Sequence, residues 1–88
     1  MSTEEGGAYL HNRVRVLIAD NSDDFVWLLV QFLSKHPEIA IIGVAHDGKQ
    51  AMEMVRQTKP DILLLDIVMP GMDGLEALRM IRKENKEI

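Results

Sequence analysis

Apolar residues along this chain fall into six segments that alternate between a strand-like and a helix-like period. Val14, Val16, Leu17 and Ile18 make a short β-branched run within RVRVLIA (13–19), the mark of a strand buried on both faces. Phe25, Leu28, Leu29, Phe32 and Leu33 then recur at three- and four-residue spacing and form one helical stripe. Asn21 or Ser22 caps that helix, Asp23 and Asp24 occupy its first turn, where the dipole favours anions, and Pro37 ends it. IAIIGVA (39–45) predicts a second buried strand. Asp47-Gly48 predicts a turn, and Ala51, Met54 and Val55 suit a short helix closed by Lys59-Pro60. ILLLD (62–66) predicts a third strand, apolar until its last residue. A loop holding Pro70 and Gly71 covers 67–73, and from Gly74 a helix resumes with Leu75, Leu78 and Ile81 facing inward. Residues 1–12 (MSTEEGGAYLHN) are polar and aperiodic and read as a flexible tail before a domain spanning 13–88.

The order β-α-β-α-β-α implies an α/β fold with parallel strands joined by crossovers. Strand one belongs between strands two and three, because successive crossovers that cover opposite sheet faces require a reversal there. Ligands of such sheets bind outside the carboxyl ends of the strands, at that reversal. Asp20 and Asp66 are the polar residues at the carboxyl ends of strands one and three, so the topology brings two carboxylates together.

Composition narrows the chemistry. The 88 residues allow one domain with a thin core, and 47% hydrophobic against 27% charged residues is ordinary globular composition. A net charge of −4 without any Lys/Arg block argues against nucleic-acid binding by this segment. The absence of Cys excludes disulfides, thiolate metal sites and a cysteine nucleophile. No run approaches about 18 apolar residues, and the first dozen lack a signal-peptide pattern, so a cytoplasmic location without membrane contact is expected.

Two carboxylates about 4 Å apart repel by roughly 4 kcal/mol at an effective dielectric near 20. A hard cation such as Mg²⁺ relieves that repulsion and accepts phosphate oxygens as well. An Asp beside such an ion is equipped to accept a phosphoryl group. The alternative is that Asp20 and Asp66 only end strands beside helix starts.

LLLDIVMPGMDGLEAL (63–78) resembles the phosphoacceptor strand and following loop of response-regulator receiver domains. VLIADN (16–21) resembles the acidic end of their first strand, and IIGVAHDGKQAMEM (41–54) their second strand and helix. The resemblance covers 13–88 and implies a flavodoxin-like doubly wound sheet of order 2-1-3-4-5, here as an incomplete β-α-β-α-β-α portion. It implies that Asp66 takes a phosphoryl group from a histidine kinase or phosphotransfer protein. Mg²⁺ would be held by Asp20, Asn21, Asp66 and the backbone carbonyl of Val68, while Met69-Pro70 and Gly74 shape the loop. Such a module is a phosphoacceptor, not a turnover enzyme. The IIGVA strand further resembles receivers joined to DNA-binding domains, so a transcription output is expected.

Two departures stand out. The position after Asp20, a second acid in most receivers, is Asn21, which removes one negative charge from the metal site. Ile88 also falls where a fourth strand is expected to begin, so the Ser/Thr and Lys that complete a receiver site lie outside this sequence. An open strand edge and a half-bare sheet face are then expected, with pairing of two chains through the edge as one outcome. Two other readings compete. A pseudo-receiver would keep the fold as a protein-binding module without the chemistry. An Asp-nucleophile phosphatase of the haloacid-dehalogenase type wants a second Asp two residues on, where Val68 stands. His11, His36 and His46 lack metal-ligand spacing, the methionines suit packing, and Trp27 lies off the main stripe of its helix.

Overall fold

A computed structural model describes residues 13–69, 74–85 and 87–88. The segment read as a tail, Pro70, Gly71 and Lys86 lie outside the described residues. Three strands and three helices alternate: β1 (Val14–Ala19), α1 (Asp23–Leu33), β2 (Ile39–Ala45), α2 (Gly48–Thr58), β3 (Ile62–Leu65) and α3 (Gly74–Glu84). The strands form one parallel sheet in the order β2-β1-β3, as the crossover argument requires. β1 is central and the most buried, with Leu17 and Ala19 fully inaccessible and Ile18 nearly so.

Alternation along β1 divides the core between two faces. Val16 and Ile18 turn to α1, where they meet Val26 and the partly buried Leu29, Val30 and Leu33. Leu17 turns the other way, against Met52 and Val55 of α2 and Ala77 and Ile81 of α3. Between Val16 and Leu17 the register to β2 slips, from Val16↔Ile41 to Leu17↔Gly43, so Ile42 is the extra residue of a bulge. Gly43 lets the Met54 side chain lie against the strand, since a Cβ would collide with Met54 Cε.

The helices start and stop where their side chains satisfy the free backbone groups. Ser22 caps α1 by accepting from the Phe25 N–H at 3.3 Å. Asp47 caps α2 through Gln50 N–H at 2.7 Å, and Gln50 Oε1 returns a bond to His46 N–H at 2.6 Å. Lys59 ends α2 in the left-handed region at φ 46, its N–H bonded to Val55 O. Arg13 and Arg15 peg the opposite end of the sheet, donating to Pro37 O, Ile39 O and Lys59 O.

Three expectations need correction. On α1 the inward stripe is Val26, Leu29, Val30 and Leu33, while Phe25, Leu28 and Phe32 are 51%, 60% and 62% exposed. α1 is apolar around most of its circumference, so spacing alone fits two stripes. On α3 the inward residues are Gly74, Ala77 and Ile81, and Leu75 and Leu78 are exposed, because small residues let the helix approach the sheet. α1 also stops at Leu33, four residues before Pro37: the chain tightens there into turns in which Lys35 N–H donates to Phe32 O and His36 N–H to Leu33 O.

Candidate acceptor site

Both carboxylates singled out by topology stand at the carboxyl ends of neighbouring strands. Ala19 pairs with Leu65, so Asp20 and Asp66 are the next residues on each strand. Backbone bonds extend the sheet through them: Asp20 N–H donates to Ala45 O at 3.0 Å, and Asp66 N–H to Ala19 O at 2.9 Å. Alternation turns both toward the α1 face, as it does Ile18 and Leu64. There they cap one end of a groove of about 380 Å³ otherwise lined by Ile18, Phe25, Leu29, Leu64 and Leu65.

Each carboxylate spends one oxygen on the chain that follows it. Asp20 Oδ1 accepts from Ser22 N–H at 2.8 Å, and Asp66 Oδ1 from Val68 N–H at 3.0 Å. These bonds fix the rotamers, and the second oxygen of each has no hydrogen-bond partner among the described residues. Carboxylates at the ends of two neighbouring strands are hard-oxygen donors of the kind that could hold Mg²⁺. Asn21 is exposed beside Asp20 and offers a neutral amide oxygen; Val68, 77% exposed two residues after Asp66, offers its carbonyl. Among the described residues no three His, Cys, Asp or Glu side chains gather as a metal cluster.

The surroundings hold this geometry. Ala19, Ala45 and Ala51 are fully buried and Met69 is 5% exposed in one cluster beneath the loop after Asp66. Small residues at the strand ends let the Met69 side chain anchor the loop. Gly74 matters as much: its N–H donates to Ile67 O at 3.1 Å, and a Cβ there would run into Asp66 O and Ile67 Cα. The start of α3 thus lies directly against the backbone of Asp66. The family resemblance implies that Gly74 shapes the loop, but only the structure discloses the contact. Sequence reasoning did not single out the approach of His46 Nδ1, in the turn after β2, to within 3.9 Å of Asp23 Oδ1 at the start of α1.

The model of the response regulator receiver domain matches residues 16–88. The chain belongs to the receiver domain family. It is 42% identical over 72 residues to a protein-glutamate methylesterase/protein-glutamine glutaminase of Pyrococcus abyssi, a match covering 82% of this chain and 20% of that protein. The response regulator domain of Thermotoga maritima CheB superposes with a TM-score of 0.80 at 36% identity, over 83% of this receiver chain and 55% of that one. The CheX–CheY–BeF3–Mg²⁺ complex from Borrelia burgdorferi matches with a TM-score of 0.80 at 34% identity, over 97% of this chain and 65% of that one. The receiver chain therefore spans about a fifth of that curated relative and between half and two thirds of the solved domains. No described helix is long and apolar enough to cross a membrane.

Proposed function

We propose that this receiver is a phosphorylation switch, built on residues 13–88 behind a tail at 1–12, with Asp66 as acceptor. A histidine kinase or phosphotransfer protein in the cytoplasm donates the phosphoryl group: the P–N bond of its phosphohistidine breaks as a P–O bond to an Asp66 oxygen forms. The observation that carries the reading is that Asp20 and Asp66, at the ends of paired strands, line one groove, each carboxylate aimed by a backbone N–H. When bound, Mg²⁺ supplies charge neutralisation for the incoming phosphoryl oxygens. Asp20, Asn21, Asp66 and the Val68 carbonyl would hold it, and Asp66 Oδ1 stays tied to Val68 N–H while its other oxygen reacts. The chain acts as acceptor, not as a turnover enzyme. A phosphatase of the haloacid-dehalogenase kind is disfavoured because Val68 occupies the position of its second Asp.

We favour an enzymatic output of the methylesterase/glutaminase class over the transcription control suggested by the IIGVA strand; the 42% identity to a protein of that description supports this reading. The acceptor reading is tested by intact mass after incubation with Mg²⁺ and a small phosphodonor such as acetyl phosphate. One added phosphoryl mass is expected in the parent and none in Asp66→Asn, whose fold should be unchanged. Equal labelling of both proteins would overturn the assignment. No labelling of a folded parent would favour the pseudo-receiver.

A further inference from the structure

Three asparagines occur in the chain, and their successors differ: Asn12 precedes Arg13, Asn85 precedes Lys86, and Asn21 precedes Ser22. The successor matters because asparagine is chemically labile: the next backbone nitrogen can attack its Cγ and expel the amide. A small side chain on that next residue crowds the five-membered ring least. The structure adds to this at Asn21. Ser22 N–H, the group that must lose a proton, is held 2.8 Å from Asp20 Oδ1. Ser22 keeps an extended backbone as the cap of α1, so its nitrogen lies outside the helical ladder, and Asn21 is exposed to water. Asn85 differs in having its Oδ1 engaged by Glu87 N–H at 3.3 Å.

We propose that Asn21 is a modification site: it deamidates in the folded chain, with Asp20 assisting, and so gains the acid that the sequence lacks beside Asp20. Asp20 Oδ1 takes the Ser22 N–H proton as the Ser22 nitrogen bonds to Asn21 Cγ. The Cγ–Nδ2 bond then breaks, and the amide nitrogen leaves with that proton as ammonia. Water opens the resulting succinimide and returns a hydrogen to the Ser22 nitrogen. Opening at Cγ leaves an ordinary aspartate, and opening at the main-chain carbonyl leaves an isoaspartyl linkage. No oxidant or reductant is needed, and water is the sole co-reactant. The new carboxylate stands just before the cap of α1, where the helix dipole favours an anion. It joins Asp20 and Asp66 as a third charged oxygen donor for a divalent cation. That consequence, tighter Mg²⁺ binding, rests on the proposed acceptor site, whereas the loss of the amide does not. Because ammonia departs, the change runs one way, and the age of the chain sets the share of sites that carry the third acid.

Peptide mapping by mass spectrometry of the folded 88-residue chain, aged in mildly alkaline buffer without Mg²⁺, tests this. Asn21 is expected to convert about tenfold faster than Asn12 or Asn85, which corresponds to a barrier lower by about 1.4 kcal/mol. Asp20→Ala, shown to be folded by far-UV circular dichroism, should lose most of that lead. Equal rates at the three asparagines of the parent overturn the proposal, and so does an undiminished lead in folded Asp20→Ala. Chains converted to aspartate carry one more negative charge, separate by anion exchange, and should bind Mg²⁺ as tightly as Asn21→Asp. Fast conversion with no gain in Mg²⁺ affinity, in the aged chain and in Asn21→Asp alike, would leave the modification standing and overturn the metal role of this position instead.

Discussion

Replacing Gly74 by Ala probes how closely α3 is seated on the acceptor. Gly74 is buried, and the added methyl would meet Asp66 O and Ile67 Cα, with the Asp66 carbonyl carbon at 2.8 Å. None of these atoms can rotate away, because all belong to the backbone that carries the acceptor. Relieving such an overlap requires a backbone shift, which costs about 1–3 kcal/mol. Alanine recovers up to about 1 kcal/mol through helix propensity, less in a first turn. A net destabilisation of about 1–2 kcal/mol remains, and at roughly 4–8 °C per kcal/mol for a domain this size the melting temperature should fall by about 5–15 °C. Gly43→Ala is the matched control, since its methyl would meet only the mobile end of Met54 and, at 3.3 Å, Leu17 Cδ1. Both can give, and that change should cost less than about 1 kcal/mol. Urea unfolding followed by circular dichroism, compared at constant m, measures both. Phosphorylation at Asp66 should slow in Gly74→Ala alone. A Gly74→Ala chain as stable and as readily phosphorylated as the parent, or a more damaging Gly43→Ala, would refute the reasoning.

Asn21→Asp restores a third carboxylate to the donor set, so Mg²⁺ should bind more tightly and phosphorylation should speed up; titration of Trp27 fluorescence or amide shifts with Mg²⁺ checks it, and unchanged affinity defeats the idea. Ile81→Ala empties the contact that α3 makes with Leu17, Met52 and Val55, at a cost of about 2–5 kcal/mol, a large share of a small domain's stability, visible as loss of far-UV signal at low urea. Arg56 bonds both oxygens of Glu84, tying α2 to α3, and that hydrogen bond holds the Glu84 carboxyl below its ordinary value of 4.5. The resulting stabilisation is complete above that ordinary value and disappears as pH falls through the lower folded-state value. Glu84→Gln should therefore lower stability at neutral pH and converge with the parent in acid; parallel curves at all pH values would contradict it.

The strands and the carboxylate pair were legible because β-branched runs leave little choice of conformation. β2 spans 39–45 as its apolar run predicts, and β3 ends at Leu65, one residue short of the predicted Asp66. Crossover topology then sets Asp20 beside Asp66 without knowledge of any side chain. Helix faces were less legible, for a physical reason. In FVWLLVQFL nearly every direction is apolar, and the choice of Val26 and Val30 over Phe25 and Phe32 is made by β1 and β2, distant in sequence. On α3 the largest apolar residues drew attention, but close approach to the sheet favours Ala77 and Gly74. The bonds from Ser22 and Val68 to the acidic oxygens depend on turn geometry that residue type permits but does not dictate.

The central claim is that Asp20, Asn21, Asp66 and Val68 form a working acceptor site. An amide ¹H–¹⁵N spectrum with and without Mg²⁺ plus beryllofluoride, a phosphoryl mimic, tests it most directly. The account predicts dispersed peaks whose largest shifts cluster at those four residues and at Gly74, and whose response disappears in Asp66→Asn. Dispersed peaks that ignore both Mg²⁺ and the mimic would contradict it.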